Sequence, residues 1–455
     1  MQQKQRKEIP EPYGFGIVNA LRFGTDPLRF LNGMQARFED LVAVPIPGRA
    51  PLVIVTNPQL IRTVLSQPEE FSRVPAEGAA ALIAERGIVQ SEGDLWQQQR
   101  SIMGPAFGSK QVRTYANTVG ERVTKLAESW ADDPTTETRN LHQEMTSLTI
   151  RVASEILLGE DIGRQRAEQF YEWMRIAGDE LEFSPTSIRP SWIPNNPSAA
   201  MEKAATGIQE LSEEIIERRR TRLADQQSER PTDMLGLLLE AEDDPSVSYP
   251  PNQIRDEVAT FLIAGHETTA LSLTYSLTLL SEHSTARDRV REEATAILGE
   301  NETSPRYEHV ADLEYTSQVY DEALRLYPPA WAVFREASTE IDLGKYRIEE
   351  GSAVILPQWS VHRDERYFAD PRRFDPDRWE NQSPSSVDGY FAFGGGPHAC
   401  IGQQFAQSGA LLVLAHLTQN FDIDVESNVL TDLQATPTLR PASNVTASVT
   451  PLRKR

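Results

Sequence analysis

Hydrophobic residues recur at helical spacing over most of the chain, from about residue 90 to 330 and again from about 360 to 420. Two other segments, about 38–75 and 330–360, carry the short apolar runs that are typical of strands. The helical pattern breaks at Pro134, at 184–197 and at 231–252. The pattern therefore predicts a mainly α fold with small β-sheets.

Individual elements can also be placed. Two short strands and a helix are expected within residues 41–66, and further strands within 339–356. Residues 365–400 are rich in proline, glycine and aspartate, which favours a long ordered meander before a last helix from about Ile401 to Leu417. A length of 455 residues taken alone suggests about three domains.

The segment from Glu257 to Leu280 predicts a long, mostly buried helix with an unusual centre. That centre reads Ala264-Gly265-His266-Glu267-Thr268-Thr269. Glycine and paired threonines are poor choices inside a helix, and a buried charge is costly without a partner. The segment is either a functional distortion or a polar patch facing solvent. A zinc helix is excluded, because Ala270 stands where the second histidine would be required.

The charged residues predict a strongly acidic surface. Acidic residues number 67 against 45 basic ones, which gives a net charge of −22. Few of the basic residues are lysines: Lys4, Lys7, Lys110, Lys125, Lys203, Lys345 and Lys454. Such a surface favours a halophilic host, with an acidic protein of an ordinary host as the alternative. The same charge argues against nucleic acid and anionic membranes as partners.

The chain carries no apolar run typical of a signal peptide or a membrane anchor near its start, so we expect a cytoplasmic protein. A single cysteine, Cys400, excludes an intrachain disulfide and fits a reducing compartment. Its surroundings read Phe393-Gly-Gly-Gly-Pro-His-Ala-Cys400-Ile-Gly402. The glycines allow the backbone close to a flat ligand, and the following helix should favour thiolate over thiol. The alternative is a buried cysteine after a glycine-rich turn.

The order Phe393-x-x-Gly396-x-His398-x-Cys400-x-Gly402 resembles the haem-binding signature of the cytochrome P450 family. This resemblance implies that Cys400 is the proximal ligand of the iron of haem b, in a loop that includes Phe393, Gly394 and Gly402. His398 stands where arginine is more common and would contact a haem propionate.

The centre of the long helix resembles the distal motif of the same family. By that resemblance Ala264 and Gly265 lie beside the haem, Thr268 activates O2 and Glu267 assists proton delivery. This assignment gives the threonine and the carboxylate roles that their chemistry permits.

Three further motifs follow the order of the family. Glu322-Ala-Leu-Arg325 and the later Arg378 resemble its structural triad, which holds the meander behind the haem. Trp96 and Arg100, together with Arg335, resemble its propionate-binding residues, although an isolated arginine is more often a surface charge.

The resemblance implies one cytochrome P450 domain over residues 1–455, a single globule with haem between the long central helix and the cysteine loop. It replaces the expectation of three domains. The implied activity is that of a haem-thiolate monooxygenase. Because 55 residues (455 − 400) follow Cys400, we expect electrons from NAD(P)H through a separate ferredoxin or flavodoxin, docked near Arg100, Lys110 and Arg113. We expect a monomer.

The segments that would face substrate are largely apolar, which favours a hydrophobic small molecule: 79–88, 170–176, 262–264 and 330–334. The runs 323–331 and 438–441 are similar to carotenoid-ring hydroxylases, while terpenoids, steroids and fatty acids stay open. Two other functions also stay open. One is a haem-thiolate peroxygenase, isomerase or dehydratase, and the other is a non-catalytic haem sensor.

Overall fold

The computed structural model describes residues 7–46, 48–75, 78–132, 138–182, 196–225, 231–245, 247–299, 304–426 and 428–452. Every structural statement below refers to these residues. The expected break at Pro134 and most of the one at 184–197 lie outside them.

Helices make up most of the described chain. They are α1 (Gly16–Thr25), α2 (Pro27–Gln35), α3 (Pro58–Ser66), α4 (Ala79–Ala84), α5 (Gly93–Met103), α6 (Ser109–Asp132), α7 (Leu141–Leu157), α8 (Arg164–Glu180), α9 (Ala199–Asp225), α10 (Met234–Glu242), α11 (Gln253–Ala264), α12 (Glu267–Glu282), α13 (Ser284–Leu298), α14 (Glu314–Leu326), α15 (Gln358–Val361) and α16 (Gln403–Asn420).

The strands form four small sheets. They are β1 (Leu41–Val44), β2 (Leu52–Val55), β3 (Phe71–Ser72), β4 (Thr138–Asn140), β5 (Val333–Ala337), β6 (Ile341–Leu343), β7 (Tyr346–Ile348), β8 (Ala353–Leu356), β9 (Phe421–Val425), β10 (Leu433–Ala435), β11 (Leu439–Pro441) and β12 (Thr446–Pro451). The largest sheet has the order β1-β2-β8-β5-β3, and β2 and β8 are its parallel pair. Its strands come from both predicted β-rich segments, which therefore join across the mainly helical chain between Ser72 and Val333.

Packing of the apolar faces makes one globule. The main core is continuous from Ile83 in α4 to Val449 in β12, and it includes side chains of α5–α14 and α16. Separate clusters fill the space around the five-stranded sheet, where Val53, Ile54 and Val354 are fully buried. Burial of this apolar surface is the main force that holds the helices together. The predicted fold class, mainly α with small sheets, is confirmed.

One predicted loop is wrong. Residues 231–252 contain α10, which begins after Asp233, whose side chain accepts a hydrogen bond from the Gly236 N–H at 2.9 Å. Leu235 and Leu238 of this helix are fully buried. The prolines and acidic residues on both sides of α10 are typical of loops, so the sequence pattern did not indicate this helix of nine residues. The helix is stabilised by its cap and by tertiary packing.

The predicted long helix from Glu257 to Leu280 is two helices, α11 and α12, separated at Gly265 and His266. Across the described ranges, no helix has the length and hydropathy needed to span a membrane.

Candidate active site

The loop before α16 holds Cys400 in a fixed backbone conformation. The Cys400 N–H donates to the Phe393 carbonyl at 3.0 Å, and the Ala399 N–H donates to the Gly396 carbonyl at 3.1 Å. Gly396 has φ +65°, and a Cβ there would overlap the Leu65 carbonyl oxygen at the end of α3. Only glycine therefore fits this position, and it lets the loop lie directly against α3.

The Cys400 side chain lies deep in the molecule, yet the residue keeps an accessible surface. Burial raises the pKa of this thiol, although the Gly402 N–H and the Arg100 guanidinium lower it. The expectation that the neighbouring helix favours thiolate stays a prediction for the iron-bound sulfur. Loss of hydration outweighs the helix, whose first residue, Gln403, comes three positions later.

The four side chains expected to hold haem carboxylates gather beside this loop. The Trp96 and His398 rings meet edge to face, with centroids 4.4 Å apart. Arg100 donates from Nη1 to the Ala399 carbonyl at 3.1 Å. Arg335, on β5, is only 8% exposed. Burial lowers the pKa of both arginines, so each would gain from an anionic partner.

Arg73, just after β3, joins this cluster and was missed in the sequence. It donates from Nη1 to the Ile88 and Ser91 carbonyls, and burial lowers its pKa to about 10. Burial, followed by the charges of Arg73, Arg335 and Arg100, lowers the pKa of His398 to about 3. His398 is therefore neutral at pH 7.

A single carboxylate, Glu92, is the counter-charge that acts on Arg73 and Arg335. It also lies 3.5 Å from His398 Nε2. Three guanidinium groups act on His398, and Glu92 is the one carboxylate seen beside them, which leaves an excess of positive charge that two further carboxylates would balance.

The helical backbone is interrupted between α11 and α12, at Gly265 and His266. The His266 carbonyl still accepts from the Ala270 N–H at 2.8 Å, and it also accepts from the Thr149 hydroxyl of α7 at 3.1 Å. Ala264 is exposed although the neighbouring Leu262 is fully buried. The Thr268 hydroxyl donates to the Ala264 carbonyl at 3.3 Å. A small side chain and a hydroxyl thus occur together at the break.

Glu267 is buried and turned toward the C-terminal strands. Its Oε1 accepts hydrogen bonds from the Thr438 hydroxyl and from Arg440 Nε, both at 2.6 Å. Burial raises the pKa of Glu267, but Arg440, His266 and Thr438 outweigh burial, so the net pKa is lowered. Thr438 and Arg440 lie about 170 residues away in sequence, and no spacing rule could have linked them to Glu267.

The three residues expected to form a triad also meet. Arg325 forms a two-bond ion pair with Glu322 at 2.7 and 2.8 Å, and both side chains are fully buried. Arg378 Nε reaches Glu322 at 3.5 Å. Arg325 Nη1 donates to the carbonyls of His362 and Pro371 at 2.7 Å, which ties α14 to the meander.

Comparison with known families shows to which family a chain with this site belongs. A sequence model of the cytochrome P450 family matches residues 10–446. The chain belongs to the cytochrome P450 family.

Several curated relatives of this P450 are oxygenases. The chain is 30% identical to cyclooctat-9-en-7-ol 5-monooxygenase of Streptomyces melanosporofaciens, over 87% of this chain and 84% of that protein. It is 28% identical to pentalenene oxygenase of Streptomyces avermitilis, over 88% and 87%. It is 29% identical to 11-oxo-beta-amyrin 30-oxidase of Glycyrrhiza uralensis, over 83% and 74%. The family and these similarities identify the chain as a P450 monooxygenase.

The residues of this P450 fit the haem that its family implies. The accessible thiol of Cys400 is the one thiol in the sequence, and the excess guanidinium charge suits two carboxylates. Cys400 would ligate the iron, while Trp96, Arg73, Arg100, Arg335 and His398 would hold the carboxylates. Once bound, the haem supplies the activation of O2 with electrons from a reductant.

Proposed function

We propose that this P450 inserts one oxygen atom from O2 into a C–H bond of a hydrophobic small molecule, with a terpenoid as the first candidate. The accessible Cys400 thiol beside a guanidinium cluster with an excess of positive charge carries the proposal. The terpenoid preference is supported by relatives named for cyclooctat-9-en-7-ol and pentalenene. Carotenoids and fatty acids are the other candidates, and they suit the apolar surface of Ile263 and Ala264 equally well.

The proposed roles of the side chains follow from their contacts. Cys400 ligates the haem iron, and the buried guanidinium groups fix the haem carboxylates in place. Thr268 offers a hydroxyl that can accept and donate a proton, and the neighbouring Glu267 is the acid that passes protons inward. Because the pKa of Glu267 is lowered, this carboxylate is ionised at neutral pH and must take up a proton before it can donate one.

The first test is the absorption spectrum of the purified holoprotein, reduced with dithionite under CO. We expect the strongly red-shifted Soret band of a thiolate-ligated complex in the wild type and its loss in Cys400→Ser. Haem that binds without this band in the wild type would contradict the assignment of Cys400. Terpene hydrocarbons, carotenoids and fatty acids can then be screened for the spin-state shift that substrate binding produces.

The alternative functions predict different results. A peroxygenase would turn over with hydrogen peroxide and gain nothing from NAD(P)H and a ferredoxin. A haem sensor would show neither a spin-state shift with any of these molecules nor NAD(P)H-coupled turnover. The intact pair of Glu267 and Thr268 favours the monooxygenase over both.

We further propose a separate ferredoxin or flavodoxin as the electron donor, with NAD(P)H as the source, and docking near Lys110 and Arg113 at the start of α6. The Arg113 guanidinium lies 5.1 Å from the centre of the Tyr307 ring, which fixes its position, and Lys110 is exposed. Charge reversal at both residues should slow reduction by a surrogate ferredoxin, measured by stopped flow under CO. Unchanged rates would remove this surface from consideration.

A cytoplasmic monomer in a halophilic host completes the proposal. The net charge of −22 supports the halophilic part.

A further inference from the structure

Arg440 connects Glu267, the acid of the active site, to the helix α8. Arg440 lies on β11, and its guanidinium contacts Glu267 of α12 through Nε at 2.6 Å and also through Nη2. The third nitrogen, Nη1, donates to the Met174 carbonyl of α8 at 3.1 Å. One side chain therefore joins three elements that are far apart in sequence.

The surface of α8 is shaped to receive this guanidinium. Gly178 lies one turn after Met174, and a Cβ at Gly178 would overlap Arg440 Nη1. Any larger residue there would push the guanidinium away from α8. Thr438 completes the arrangement, because its hydroxyl donates to the same Glu267 oxygen and also accepts from Arg440 Nε at 3.3 Å.

Arg440 supplies the positive charge that acts on Glu267 at neutral pH. Other titratable groups around the pair are His142 of α7, Tyr171 of α8, Tyr275 of α12 and His266 at the helix break. Burial lowers the pKa of His142 to about 4 and also lowers that of His266, so both are neutral at pH 7. Burial raises the pKa of both tyrosines, which are neutral too.

We propose that Arg440 is a positioning residue that keeps the Glu267 carboxylate ionised and turned toward β11, and that links its proton uptake to the position of α8. For Glu267 to take up a proton, its bonds to the guanidinium must weaken. Because the same guanidinium is held by the Met174 carbonyl, a shift of α8 changes how firmly Glu267 is held. This inference rests on the proposed role of Glu267 in proton delivery.

The test compares holoenzyme variants Arg440→Gln, Arg440→Lys, Glu267→Gln and the double variant Arg440→Gln/Glu267→Gln. The activity readout is the pH dependence of NADPH oxidation and hydrogen peroxide formation, with a surrogate ferredoxin and its reductase, in H2O and in D2O. Activity should fall as pH rises through the pKa of Glu267, the proton donor, and Arg440→Gln should move this fall to higher pH and change the solvent isotope effect. Arg440→Lys should restore part of both, because an ammonium group keeps the charge but not the fork of donors.

The double variant separates positioning from a general structural effect. If Arg440 acts through Glu267, the pH profile of the double variant should match that of Glu267→Gln alone. A further shift in the double variant would overturn the proposal. If Glu267→Gln itself leaves the profile unchanged, the proposed role of Glu267 fails. If Glu267→Gln changes the profile and Arg440→Gln does not, the inference about Arg440 fails alone.

A second readout does not depend on turnover. Hydrogen–deuterium exchange of the holoprotein should be faster in the C-terminal half of α8 in Arg440→Gln, because the Met174 carbonyl loses its partner. Arg291→Gln is the matched control, since Arg291 likewise joins backbone carbonyls, of Thr418 and Phe421, to a carboxylate, Asp422. Exchange in α8 that is the same in Arg440→Gln and in the control would contradict the link to α8.

Discussion

At the scale of single residues, buried histidines make the stability of the fold sensitive to acid. His362 is fully buried, and its Nε2 accepts a hydrogen bond from the Phe391 N–H at 3.1 Å, which requires an unprotonated ring nitrogen. Burial, together with the charges of Arg325 and Arg363, lowers its pKa to about 3. The loop that leads to Cys400 begins at Phe391, so protonation here would disturb the active site directly.

The sign of the resulting pH dependence follows from linkage. The folded-state pKa of His362 lies below the value of about 6.5 expected in the unfolded chain, so the unfolded state binds the proton more readily. We predict that stability falls as pH drops below about 6.5, by about 1.4 kcal/mol per pH unit from this group, until the folded pKa is reached. Urea unfolding at several pH values measures the slope.

The matched variant is His362→Gln, whose amide oxygen can accept the same hydrogen bond without titrating. It should be less stable than the wild type at pH 7 and lose less stability on acidification. A slope identical to that of the wild type would show that other groups dominate, with His142 and His416, both of pKa about 4, as the first to examine.

At the scale of elements, the buried pair of Glu322 and Arg325 joins α14 to the meander. Arg325 has no exposed surface and donates to the carbonyl of His362 after α15 and to the carbonyls of Pro371 and Arg373 in the meander, as well as to Glu322. Removal of one partner leaves a buried charge without compensation. We predict that Arg325→Ala lowers the free energy of unfolding by about 3–5 kcal/mol and reduces haem retention.

The chain offers a control with similar chemistry and different burial. Arg289 pairs with Asp377 at 2.8 Å, and both side chains are about half exposed. Arg289→Ala should cost less than about 1 kcal/mol, because exposed ion pairs contribute little. Urea unfolding measures the loss of stability in both variants. Similar losses would mean that burial does not determine how much the Arg325 pair stabilises the fold.

Sequence spacing revealed the elements and residues whose partners are local or fixed by a motif. The Cys400 loop, the helix break at Gly265 and the paired Glu322 and Arg325 belong to this group. Arg73 and Arg440 were missed because each contacts its partners only through tertiary packing. Those partners lie too far away in sequence for any local pattern to indicate them. Helix α10 was also missed, because its signal in the sequence consists only of a capping residue and a few leucines.

At the scale of the whole molecule, net charge controls stability through salt. A charge of −22 makes the compact state repel itself, and the range of that repulsion shrinks from about 30 Å in 0.01 M salt to about 3 Å in 1 M salt. We predict that the melting temperature rises steadily with NaCl concentration. Differential scanning calorimetry measures this rise.

Sucrose at matched osmolality is the control, because excluded solutes stabilise folded proteins without screening charge. A larger rise in NaCl than in sucrose supports an electrostatic origin and the halophilic host. Coinciding melting temperatures in the two series would mean that self-repulsion is unimportant and that the acidic surface serves solubility alone.

The single cysteine also has a practical consequence. Because Cys400 is the only thiol in the chain, a maleimide dye can label at most one site, and it should label none when iron holds the sulfur. The fraction labelled would count empty molecules in any preparation. In the loaded protein, a pair of cysteines engineered on α8 and β11 would carry fluorophores without background and report the distance between them during catalysis.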